Sequence, residues 1–110
     1  NATGYDHNWC LNTYKDGKGD DTKVCASLYS PITGILLEMY TNEPGVQVYT
    51  GNFQGTGIAC KHGIKYPKHV SVCLESQKYP DSPNKKDWPS PYLKPGEKYH
   101  SHVAYKFSIK

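Results

Sequence analysis

Apolar residues along this chain recur with a period of two far more often than with the 3.6 of a helix. Clusters of Gly, Pro and Asn interrupt them every ten residues or so, the spacing of an all-β domain. Residues 24–29 and 35–40 are two such runs, separated by Ser30-Pro31-Ile32-Thr33-Gly34, whose Pro and Gly supply turn geometry. They predict a hairpin. In the last segment Tyr99, Val103, Tyr105, Phe107 and Ile109 share one parity and His100, His102, Lys106 and Lys110 the other, which predicts a half-buried strand. Five prolines between Tyr79 and Lys98 exclude a central strand there and predict an extended connection anchored by Tyr79, Trp88, Tyr92 and Leu93. Residues 15–21 contain no apolar side chain and are expected to form an exposed loop.

Two strand-like runs each set polar residues against an apolar parity. In Val46-Gln47-Val48-Tyr49 the valines point one way and Gln47 the other. In residues 70–75, Val70, Val72 and Leu74 form the core parity, leaving Ser71, Cys73 and Glu75 opposite. A carboxylate beside small residues at a strand end has room for a ligand and can act as a general base; a plain surface glutamate has the same spacing. Asp6-His7-Asn8-Trp9 combines an acceptor, an imidazole, an amide and an aromatic ring, the mixture that sugar hydroxyls and ring faces require, and is equally compatible with an Asp-capped turn.

Composition removes several alternatives. The length suits one domain. All 13 basic residues are lysine and they are spread along the chain, so the net charge of +3 lacks both the guanidinium fork and the clustering of a nucleic-acid surface. Nucleic acid is excluded as a partner. No run of about 18 apolar residues and no signal-peptide pattern occurs, so no membrane association is expected. Cys10, Cys25, Cys60 and Cys73 form no CxxC pair and are expected to be buried free thiols, which favours the cytoplasm. His100 and His102 lie two apart without a third ligand, and Asp16, Asp20 and Asp21 lack calcium-loop spacing, so no metal site is expected. The chain opens at Asn1 without a methionine, and an upstream portion is expected to be missing. Asn1-Ala2-Thr3 fits a glycosylation sequon, a short pattern that decides nothing by itself.

Longer motifs then occur in order: Gly4-Tyr5-Asp6-His7-Asn8; Glu43-Pro44-Gly45-Val46-Gln47-Val48-Tyr49-Thr50-Gly51-Asn52-Phe53; Tyr66-Pro67-Lys68-His69; Cys73-Leu74-Glu75-Ser76-Gln77; Tyr79-Pro80-Asp81-Ser82-Pro83-Asn84; and Leu93-Lys94-Pro95-Gly96-Glu97-Lys98-Tyr99. With them the chain resembles the C-terminal third of the aldose 1-epimerase family over essentially its whole length. The resemblance implies part of that family's large β-sandwich, with residues 1–110 as the C-terminal portion of a single domain whose upstream part is absent. It implies interconversion of the α- and β-anomers of hexoses such as galactose and glucose. Glu75 would be the base on the C1 hydroxyl, and Asp6 and Gln47 would hold hydroxyls of a monosaccharide. No cofactor is implied. The histidines and arginine that complete the family's site match nothing here, so an upstream fragment of the same polypeptide is the implied partner. A sugar-binding module without turnover, or an inactive fragment, are the alternatives. Alone, such a segment would expose strand edges and apolar surface. Ser71-Val72 and the Gln54-Gly55-Thr56-Gly57 loop depart from the common pattern and bear on sugar preference.

Overall fold

The alternating pattern becomes antiparallel sheet in the computed structural model of the chain, which describes residues 3–55 and 57–110. Residues 1 and 2 of the sequon and Thr56 of the 54–57 loop lie outside the described residues. The strands are β1 (Asp6–Cys10), β2 (Tyr14–Lys15), β3 (Lys18–Gly19), β4 (Ala26–Tyr29), β5 (Ile35–Thr41), β6 (Gly45–Tyr49), β7 (Cys73–Gln77) and β8 (Val103–Ile109). Two three-stranded sheets, ordered β1-β6-β7 and β4-β5-β8, are joined by the short link between β5 and β6. The only helical pieces among the described residues are two single 3₁₀ turns. The fold is all-β, consistent with a sandwich.

The expected hairpin is β4–β5, with Ala26 opposite Met39 and Leu28 opposite Leu37. Gly34 closes its turn at φ +72, where a residue without a Cβ is at ease. Met39 and Leu37 of one sheet face Val46, Val48 and Leu74 of the other across a core centred on the buried Leu11, Met39 and Val46. Burying each such side chain contributes about 1.5–3 kcal/mol. Two hydrogen bonds tie the sheets: Thr41 Oγ1 and Ser76 Oγ are 2.5 Å apart, and the Tyr105 hydroxyl donates to the Leu74 carbonyl at 2.7 Å. At the link, Glu43 is buried and ion-paired to Lys78 while its amide donates to Thr41 Oγ1 at 3.1 Å.

Several expectations are corrected. Residues 15–21 are not a plain loop: β2 and β3 pair across Asp16-Gly17, both at positive φ (52 and 77), the dihedrals of a two-residue hairpin turn. The strand expected from residue 70 begins at Cys73, because β6 ends opposite it at Tyr49 and His69, at φ +62, bends the chain just before. Val70 and Val72 are exposed instead of lining a core. The last strand starts at Val103, and its apolar parity is not half-buried: Phe107 is 66% and Ile109 77% exposed. The parity is real and is the one in register with Leu37 and Met39, but among the described residues the other sheet reaches it at Tyr105 and leaves Phe107 and Ile109 exposed. Nor are the thiols buried, since Cys10 and Cys60 are exposed and Cys25 and Cys73 half-buried, all four free. Residues 79–98 contain no strand, as their prolines require.

Candidate active site

Gly4-Tyr5 and Thr50-Gly51-Asn52, far apart in sequence, lock together. The Tyr5 amide donates to Thr50 Oγ1 at 2.9 Å, the Thr50 amide returns a bond to the Tyr5 carbonyl at 3.1 Å, and Asn52 Nδ2 reaches that carbonyl at 2.8 Å. Thr50 Oγ1 donates in turn to Asn52 Oδ1 at 2.8 Å, so the fully buried Asn52 amide is satisfied at both atoms. Gly4 permits this closeness: a Cβ there would collide with Asn52 Oδ1 and Thr50 Oγ1. His69 seals the knot, its amide donating to the Gly51 carbonyl and its Nδ1 lying 3.0 Å from the Thr50 carbonyl. The knot fixes where β1 begins and therefore where Asp6 sits.

From there register alone assembles a polar face. Asp6-His7-Asn8-Trp9 is strand and not turn, with Asp6 and Asn8 on one face and His7 and Trp9 on the other. Asn8 is opposite Gln47, and Gln47 is opposite Glu75, so the three form one row across β1, β6 and β7. Directly opposed side chains on one face have Cβ atoms about 4.5–5.5 Å apart. Asp6, one rung on, accepts a bond from Gln47 Nε2 at 2.8 Å. The other amide atom, Gln47 Oε1, is buried and has no hydrogen-bond partner among the described residues. An unmet buried acceptor costs about 1–3 kcal/mol, which a donor such as a ligand hydroxyl or a water would remove. Glu75 itself is exposed, an acceptor directly opposite Gln47 in the register.

The opposite end of the face was not legible in the motifs. Asn8 Oδ1 lies 3.5 Å from Gln77 Nε2, and both are close to Gly45, over which the Tyr79 ring lies. Asn8 shares the parity of Asp6, and that was the available signal. Tyr105 was also missed as a support of β7, since its role depends on a sheet-to-sheet approach. Burial pushes its phenol above the ordinary range, with negative charge at Cys25, Glu75 and Cys73 adding to the effect.

Neither nearby imidazole joins the row. His7 accepts from the Asp6 amide at 3.1 Å and stacks edge-on against Tyr5, while His69 is spent on the knot. His102 pairs with Asp21 Oδ2 at 2.9 Å and His100 lies 3.4 Å from Asn42 Nδ2. Asp20 caps Thr22 and meets Lys23, and these bonds hold its carboxyl down at about 2. Among the described residues no group of three or more His, Cys, Asp or Glu is placed to hold a metal ion. A concavity of about 740 Å³ near Lys15, Lys18 and Asp20 lies among these surface charges, away from the row.

The model of the aldose 1-epimerase family matches residues 1–106. The chain belongs to the aldose 1-epimerase family. Galactose mutarotase from Mus musculus is 44% identical over 106 residues, covering 96% of this chain and 30% of that protein. The galactose mutarotase of Homo sapiens is likewise 44% identical over 107 residues, and the aldose 1-epimerase of Escherichia coli (strain K12) is 41% identical over 106. The chain thus spans about 30% of the length of these relatives. As an aldose 1-epimerase family segment it contributes a polar row and an open apolar face. Among the described residues no helix is long and apolar enough to cross a membrane.

Proposed function

We propose that the polypeptide carrying this segment interconverts the α- and β-anomers of hexoses, with galactose and glucose as substrates, and that Glu75 is its general base. The single observation in support is the row in which Glu75 stands beside Gln47, whose Nε2 is held by Asp6 while its Oε1 lacks a donor. The Glu75 carboxylate takes the proton from the C1 hydroxyl as the bond from C1 to the ring oxygen breaks. An acid delivers a proton to that oxygen, the aldehyde turns over, and reclosure runs both transfers in reverse. Asp6 and Gln47 hold hydroxyls of the sugar, Gln47 Oε1 accepting from one of them. Proton transfer of this kind requires no cofactor.

His7 and His69 are engaged away from the row, so the acid is assigned to an upstream part of the same polypeptide. Residues 1–110 are then the C-terminal portion of one domain, and the relatives' greater length together with the exposure of Phe107 and Ile109 supports that reading. Four free thiols suit a reducing compartment such as the cytoplasm.

The test is polarimetry on freshly dissolved α-galactose with the full-length polypeptide. Acceleration over buffer that Glu75→Gln removes is the expected result; full activity in the variant would refute the assignment. A second reading, sugar binding without turnover, is favoured by the absence of an imidazole from the row among the described residues. Calorimetric sugar binding with no acceleration would select it.

A further inference from the structure

Glu75 is the middle residue of β7, and among the described residues its exposed carboxylate is in no hydrogen bond or ion pair. A side chain left free in this way takes its aim from its own backbone. That backbone is the outer strand of its sheet, paired among the described residues with β6 alone. Along its other edge no ladder of strand hydrogen bonds fixes it.

Both neighbours of Glu75 are fastened to the other sheet instead. On one side the Tyr105 hydroxyl of β8 donates to the Leu74 carbonyl at 2.7 Å. That carbonyl belongs to the planar peptide group whose nitrogen is that of Glu75, so fixing it fixes the approach to the Glu75 Cα. Burial pushes the phenol above its ordinary range, and it keeps the proton that it donates. On the other side Ser76 Oγ lies 2.5 Å from Thr41 Oγ1, at the end of β5. A hydroxyl has one proton to give and two lone pairs to receive with. Thr41 gives its proton to the His102 carbonyl at 2.8 Å and accepts the Glu43 amide at 3.1 Å, so Ser76 is the donor of their bond and Thr41 is saturated. Fully buried, Thr41 has no water to turn toward. Its register partner is Val103, two residues from Tyr105, just as Leu74 and Ser76 are two residues apart. The anchors on one sheet thus match the spacing of the groups they hold on the other.

We propose that Tyr105 and Ser76 are positioning residues for anomer exchange, holding β7 on either side of Glu75 so that its carboxylate is aimed at the C1 hydroxyl. The proposal rests on the reading of Glu75 as the base. Asp6 and Gln47, which hold the sugar in that reading, are on β1 and β6, outside both anchors.

That division sets the test, polarimetry with the full-length polypeptide over a range of galactose concentrations. Tyr105→Phe keeps the ring and removes only the hydroxyl; kcat should fall roughly tenfold, the weight of one directed hydrogen bond, with KM unchanged. Ser76→Ala should lower kcat about threefold, and Ser76→Thr, which keeps a donor, should restore it. A rise in KM at unchanged kcat would make the anchors part of sugar binding, and a rate that falls only as far as the folded fraction seen by circular dichroism would make them plain structural ties. No change would leave them idle, and each of these three results overturns the proposal. Should Glu75→Gln keep full activity, or the protein turn over no sugar, the reading of Glu75 fails separately. Amide hydrogen exchange then decides whether the anchors hold β7: faster exchange over residues 73–77 in Tyr105→Phe with β1 unchanged upholds them, and unchanged exchange rejects them.

Discussion

The two sheets are built by different means. Sheet β1-β6-β7 is held in place by particular residues: Gly4, Tyr5, Thr50, Asn52 and His69 form a knot with few allowed substitutions, and the polar row follows from it by register. Sheet β4-β5-β8 is held by alternation, and the core-facing parity of its last strand meets the other sheet at Tyr105 while Phe107 and Ile109 stay exposed. The first is specified by hydrogen bonds whose partners are fixed in direction, the second by hydrophobicity that has none. Position matters where chemistry is to happen; on the other sheet it suffices that the face be apolar and continuous.

Substitutions can break that contrast, and the largest effect is expected on the polar face. Glu75→Gln in the full-length polypeptide should lower the polarimetric rate by a factor on the order of 10²–10⁴, the usual weight of a general base, with the denaturation midpoint unchanged. Met39→Ala removes the most buried apolar side chain and should cost about 2–5 kcal/mol in denaturant titration, showing that the sheets share one core. Asn52→Ala should cost less, about 1–3 kcal/mol, because it removes one of the bonds to the Tyr5 carbonyl and the bond Thr50 Oγ1 donates to Asn52, and should also weaken sugar binding by loosening Asp6. Phe107→Thr should change the stability of this chain by less than about 0.5 kcal/mol while reducing its binding of a hydrophobic dye; a large destabilisation would show that the face is already packed. Smallest is the acid response of Asp20. Its folded value near 2 lies below the ordinary 3.8, so its contribution is complete above about pH 4 and fades as pH falls toward 2, a window that Asp20→Asn should erase from an acid titration.

How much of this was legible depends on what each pattern encodes. Gln47 and Glu75 could be isolated from the chain because valines and Leu74 fix the parity of their strands, and parity is what register preserves. The start of β7 could not, since Val70 and Val72 continue the alternation past the point where β6 stops offering a partner. Nor could the exposure of Phe107 and Ile109: alternation says which side of a strand is apolar, not whether anything lies against it. The Asp16-Gly17 turn carried its own sign, a dipeptide suited to positive φ, inside a segment whose polarity suggested only a loop. The contact of Asn8 with Gln77 and the seat of Tyr79 over Gly45 involve residues 34 or more apart, beyond the reach of a local pattern.

Tyr105 belongs to both halves of this contrast. Its ring lines the apolar groove with Phe107, Leu28 and Leu37, and its hydroxyl ends on the Leu74 carbonyl, in the peptide group that leads into Glu75. Any layer that settled on that groove would therefore press on a lever whose far end is the backbone of the strand carrying Glu75, so that covering the groove and aligning that carboxylate would be a single mechanical event.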